Sequence, residues 1–69
     1  MTNDERAQAA RDAIEAYRRV KELDGESLGT VMQDFLCDLR HLCDREGLAY
    51  HGFDRAAHQT YLEEKHEEE

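Results

Sequence analysis

The sequence predicts an all-α fold: a small three-helix domain with a central amphipathic second helix, completed by homo-oligomerisation. Three observations predict it. There is no proline among the 69 residues, apolar residues recur at three- and four-residue steps rather than alternating, and Gly25 and Gly47 fall between the apolar runs, where helices end. At 8.1 kDa the chain forms one domain, residues 1–69.

The first helix is predicted over 4–23. Thr2, followed three residues later by Glu5, forms a capping box. Ala10, Ala13, Ile14, Tyr17 and Val20 make one stripe, with Arg11, Asp12, Glu15, Arg18, Arg19 and Glu22 opposite. Arg11–Glu15 and Glu15–Arg19 are i,i+4 pairs. Asp24-Gly25 then ends the helix, with glycine in the left-handed conformation.

The second helix is predicted over 27–46, with Ser27 as N-cap. Leu28, Val31, Met32, Phe35, Leu36, Leu39, Leu42 and Cys43 fall within an arc of roughly 140° at helical periodicity. Gly47 stops the helix and Leu48 closes a Schellman-type contact.

The third helix is predicted over 53–65. Leu48, Tyr50 and Phe53 lead into it, and Asp54 sits in its first turn, where a carboxylate favours the helix dipole. Leu62 points away from the face shared by Phe53, Ala56, Ala57 and Thr60. The acidic tail, 63–69, is expected to fray, because carboxylates oppose the dipole at a C-terminus.

Charge restricts function. Lys and Arg number 9 and Asp and Glu 17, a net charge of −8. An acidic chain lacks the basic clusters that phosphate contacts require, so no nucleic-acid partner is expected. No apolar run approaches the ~20 residues of a membrane span, and the polar N-terminus leads into no signal-peptide core. A cytoplasmic protein with reduced thiols is the expectation. The charge is uneven: residues 1–23 sum to zero, whereas 24–53 and 54–69 each carry −4. A basic partner would therefore meet the second and third helices.

The chain has 17 large apolar residues, few for burial to outweigh chain entropy in so short a domain. A second subunit is the expected supplement, giving a homodimer formed by helices one and two.

Two motifs invite chemistry. Cys37 and His41, at i,i+4, can face one metal ion, with Asp44 as third ligand; the plain alternative is an exposed thiol beside an exposed imidazole. Cys43, at the rim of the apolar arc, reads as a small buried hydrophobe. Asp34 and Asp38 could hold Mg²⁺, but Arg45 shares their stripe and no paired acidic motif spans two helices, so a solvated face is the better reading. A Cys–His nucleophile needs an orienting third group and a concave pocket, which three short helices scarcely offer. No enzymatic activity and no cofactor are expected.

The segment Leu39-Arg40-His41-Leu42-Cys43-Asp44-Arg45-Glu46-Gly47-Leu48, followed by an aromatic and later by Ala57, His58, Tyr61 and Glu64, resembles a set of short acidic bacterial proteins sharing a D-L-x-H-x-C-D-x-x-G-L core. Their usual ending is an A-x-x-H-Y-x-x-E pattern, and they are often plasmid- or phage-associated. Here Gln59-Thr60 separates His58 from Tyr61, and Tyr50-His51-Gly52-Phe53 stands where an acidic helix start is usual. The resemblance covers under half the chain and brings no activity with it. It implies an accessory or anti-defence role on a mobile genetic element.

The expected function is that of a non-enzymatic interaction protein that binds and modulates, or inhibits, a protein with a basic surface. Asp34, Asp38, Asp44, Glu63 and Glu64 would steer the encounter, and Tyr61 and Leu62 would anchor it. The alternatives are a metal-binding protein using Cys37, His41 and Asp44, or a helical oligomer that sequesters a small ligand between subunits.

Overall fold

The computed structural model describes residues 1–68. Three helices follow one another, α1 (Asn3–Val20), α2 (Leu28–Glu46) and α3 (Tyr50–Glu67), with no strand among the described residues. The body is flattened, 37 × 31 × 16 Å, with a radius of gyration of 13.8 Å. A compact chain of this length has about 11 Å. The three-helix all-α expectation holds, but the packing is open.

Helix α1 begins as the sequence predicts. The Thr2 hydroxyl accepts from the Glu5 amide at 3.1 Å, and the Glu5 carboxylate accepts from the Thr2 amide at 3.0 Å. The reciprocal box satisfies two amides that lack intrahelical partners. These bonds hold the Glu5 carboxyl below the usual glutamate range.

The end of α1 differs from expectation. The helix stops at Val20, not Leu23, and the left-handed residue is Glu22, at φ 57°, ahead of Gly25. The Leu23 amide donates to the Arg18 carbonyl at 3.0 Å and the Glu22 amide to the Arg19 carbonyl at 3.2 Å, the pair of bonds that closes a Schellman turn. Arg18 explains the early stop. Its guanidinium donates to the carbonyls of Leu23 and Glu26, at 3.3 and 2.5 Å, and to Glu15 at 2.9 Å. It thereby braces the turn from inside, with only 16% of its side chain exposed, rather than lying on the outer polar face. A side chain in the left-handed region costs roughly 1–2 kcal/mol, which glycine avoids. Glu22→Gly should therefore raise the melting temperature by a few degrees (about 4–8 °C per kcal/mol in a domain this size), measured by helical circular dichroism; an unchanged or lower value would count against this turn geometry.

Helix α2 is bounded as predicted. The Ser27 hydroxyl accepts from the Thr30 amide at 3.2 Å. At the other end Gly47 takes φ 69°, with the Leu48 amide bonded to the Cys43 carbonyl at 2.8 Å.

Helix α3 starts at Tyr50, three residues early, which moves Asp54 beyond the first turn. Ala49 provides no side-chain cap. The start is held from outside: the Arg40 guanidinium lies over the Tyr50 ring, 4.4 Å from its centroid, a cation–π contact. The helix also runs on to Glu67, through most of the segment expected to fray. Its carboxylates meet the opposite pole of another helix. Glu68 accepts from the Asn3 amide at 2.8 Å, and Arg6 pairs with Glu64 at 2.5 Å. The N-terminus of α1 carries the positive end of its dipole and offers unpaired amides. Glu69, the last residue of the acidic tail, lies outside the described residues.

The core is small. Ile14, Val31 and Cys43 are the buried hydrophobic residues among those described, and Val31 alone is fully enclosed. Val20, placed on the α1 stripe by its spacing, is 81% exposed. Each three-residue step falls about 60° short of a full turn. Two such steps beyond Ile14 therefore carry Val20 off the packed face.

Candidate functional site

The contacts of α2 decide which surfaces are left for function. On one side Phe35 meets the Tyr17 ring edge-on, with centroids 4.9 Å apart. Beside it Asp38 accepts from the Tyr17 hydroxyl and, at 2.8 Å, from the Lys21 ammonium. On the other side Arg40 covers Tyr50. Asp38 and Arg40, two residues apart, project about 160° from each other around the helix. The neighbouring helices thus hold α2 from nearly opposite sides.

Between those sides runs an uncovered apolar stripe. Leu28, Met32 and Leu36 are exposed, the last two by 46% and 48%. They follow at four-residue intervals, so they line one face. Leu28 and Met32 form one wall of an open groove of about 440 Å³, with Ala7, Ala10 and Ile14 of α1 as the other. The arc that marks α2 as central in the sequence is therefore divided. Val31 and Cys43 are buried, Phe35 and Leu39 are half-buried, and Leu28, Met32, Leu36 and Leu42 are open. The breadth of the arc, wider than one packed neighbour requires, was the available signal.

The predicted steering carboxylates fall into two groups. Asp38 and Glu64 are occupied within the chain, Asp38 by Tyr17 and Lys21, Glu64 by Arg6. The backbone carbonyl of Glu64 also accepts from the Asn3 side chain at 3.1 Å. Hydrogen bonds from Lys21 and then Tyr17 hold the Asp38 carboxyl below its ordinary range. The same carboxylate raises the Lys21 ammonium. The Tyr17 phenol is raised, first by burial and then by its bond to Asp38. Asp38 thus joins α1 to α2. Asp44 and Glu63 are exposed, Glu63 accepting from the Gln59 side-chain amide at 3.3 Å, and Asp34 is half-buried.

The two predicted anchors do not share a face. Tyr61 and Leu62 are 54% and 44% exposed, but adjacent residues are ~100° apart on a helix. Tyr61 lines a second groove, of about 430 Å³, with Asn3, Arg6, Ala7, Glu64 and Lys65. Its ring stacks near His58 at 6.3 Å and lies under the Lys65 ammonium at 5.9 Å.

Cys37 is exposed and Cys43 buried, both as free thiols. Among the described residues no group of three or more His, Cys, Asp or Glu is placed to hold a metal ion. Cys37, His41 and Asp44 therefore do not converge as a three-ligand site. A shared helical face sets direction, but convergence on one ion also needs side chains turned together. No buried side-chain polar atom among the described residues lacks a partner, so neither groove presents an unsatisfied buried group to a ligand. No described helix is long and apolar enough to cross a membrane.

No family model matches the chain, and no curated protein or solved structure is significantly similar to it.

Proposed function

We infer that this chain is a small non-enzymatic interaction protein that works as a homodimer and binds a protein partner through its acidic surface. The observation that carries the reading is the open apolar stripe of α2, left uncovered between two neighbouring helices. Helices bury such faces against a further layer, and here another chain supplies it. The −8 charge, concentrated after residue 23, favours encounter with a basic surface and disfavours acidic ones. Asp34, Asp44 and Glu63 provide the steering, with Tyr61 or Leu62 as the anchor on its own side of α3. Modulation of a host or element-encoded protein, including anti-defence inhibition, is the role that fits the mobile-element resemblance.

The test is capture from nuclease-treated bacterial lysate on immobilised protein at rising salt. One dominant protein should be retained at low salt and released as the Debye length shrinks below its ~8 Å physiological value. Asp44→Asn combined with Glu63→Gln should release it at lower salt. Retention that ignores both salt and these substitutions would remove the acidic surface from the mechanism.

A further inference from the structure

The geometry points to the groove between α1 and α2, walled by Ala7, Ala10, Ile14, Leu28 and Met32 and extended by Leu36, as the seat of a second copy of this chain. The inference rests on the reading of the protein as an association module and names the partner of its apolar face.

Area is the first argument. The chain exposes 5683 Å², whereas a folded monomer of its mass exposes about 4,500 Å². The excess, roughly 1,200 Å², exceeds the ~800 Å² that each partner contributes to a standard stable interface. The open groove and stripe are part of this excess, and a second copy seated there would cover them on both chains at once.

Charge is the second argument, and it selects the copy over a basic protein. The rim of the groove carries Asp4, Gln8 and Arg11, one acid, one neutral residue and one base. Residues 1–23, from which α1 is built, sum to zero. In a two-fold interface each patch meets itself. A rim of mixed sign can pair with its own copy, whereas an acidic rim would repel it. The acids concentrate after residue 23, so two copies of charge −8 meet at this mixed rim with less repulsion than at a purely acidic surface. The alanines at positions 7 and 10 add no bulk to the α1 wall, which leaves room for an incoming helix.

Mass measurement by light scattering on the purified full chain tests the proposal without any other partner, so its outcome is independent of capture from lysate. The expected species is a dimer of about 16 kDa, twice the chain mass, with a melting temperature that rises with concentration. Met32→Asp, at the centre of the stripe, should weaken dimerisation roughly thirtyfold or more, as at an interface hot spot. Val20→Asp, on α1 but 81% exposed and off the groove, should leave it intact. If Met32→Asp does not fold, Ala7→Arg, at an exposed helical position on the opposite wall, applies the same test. A wild-type monomer persisting to about 100 µM, with a concentration-independent melt, would overturn the proposal. So would a dimer unaffected by a folded Met32→Asp or Ala7→Arg variant. A protein that stays monomeric yet captures a lysate partner would retain the acidic-surface interaction and lose both the homodimer and this seat for it.

Discussion

Replacing Val31 with aspartate should abolish the folded state, while the same replacement at Val20 should cost no more than about 1 kcal/mol, the dipole penalty of a carboxylate in the last turn of α1. Val31 is fully enclosed and Val20 is 81% exposed, although both belong to regular apolar spacings. A carboxylate at position 31 would be buried without a cation or donor, among the most destabilising of single changes. Typical stability per residue gives a chain of this size only roughly 3–10 kcal/mol in total. Few other side chains are buried between α1 and α2. The milder Val31→Ala should cost about 2 kcal/mol, between the usual values for losing one methyl and for truncating a larger side chain. Thermal melts followed at 222 nm would separate the three variants. Equal effects at 20 and 31 would show that α1 and α2 do not pack as described.

The second large effect concerns the junction of Tyr17, Lys21 and Asp38. Asp38 has its carboxyl held down by Lys21 and Tyr17. Its contribution is therefore present above the unfolded carboxylate value of about 3.9 and is lost as pH falls through the lower folded value. Lys21 and Tyr17 are raised. Their contributions are present below about pH 10 and are lost as pH rises through the folded values. Stability should form a plateau across neutral pH with a decline at each end. Asp38→Asn should lower the plateau and flatten part of the alkaline decline, because the carboxylate that raises Lys21 is gone while burial still raises Tyr17. Some acid sensitivity should remain, since Glu5 and Glu15 are also lowered, Glu5 chiefly by its cap bonds and Glu15 chiefly by Arg18. Tyr17→Phe keeps the ring contact with Phe35 and removes the hydroxyl, so it should retain the Lys21–Asp38 pair and a weaker acid decline. A pH profile of melting temperature identical to wild type in Asp38→Asn would show that the junction does not couple the helices.

Asp38 also shows why a site reads differently in sequence and in space. As one of several carboxylates on α2 it resembles a solvated, steering charge. Its role depends on Lys21, 17 residues earlier, and Tyr17, 21 residues earlier, and no local pattern reports that distance. Glu64 is the same case, with its partner Arg6 near the other end of the chain. Arg18 hides a different signal. An arginine on a polar helical face gives no hint that its five donors will reach two carbonyls beyond the helix end.

The helices themselves, their order, the Thr2–Glu5 box, the Ser27 cap and the Gly47 turn were determined by the sequence alone. These depend on bonds among residues within about five positions, where residue type and spacing settle which groups meet. The tertiary structure decided the start of α3 under Arg40, the continuation of α3 to Glu67, and which apolar residues are covered. Each of these depends on a group brought from elsewhere in the chain. The exposed stripe on α2 follows from the same cause, since periodicity marks a face as apolar and only the placement of neighbouring helices determines whether that face is filled.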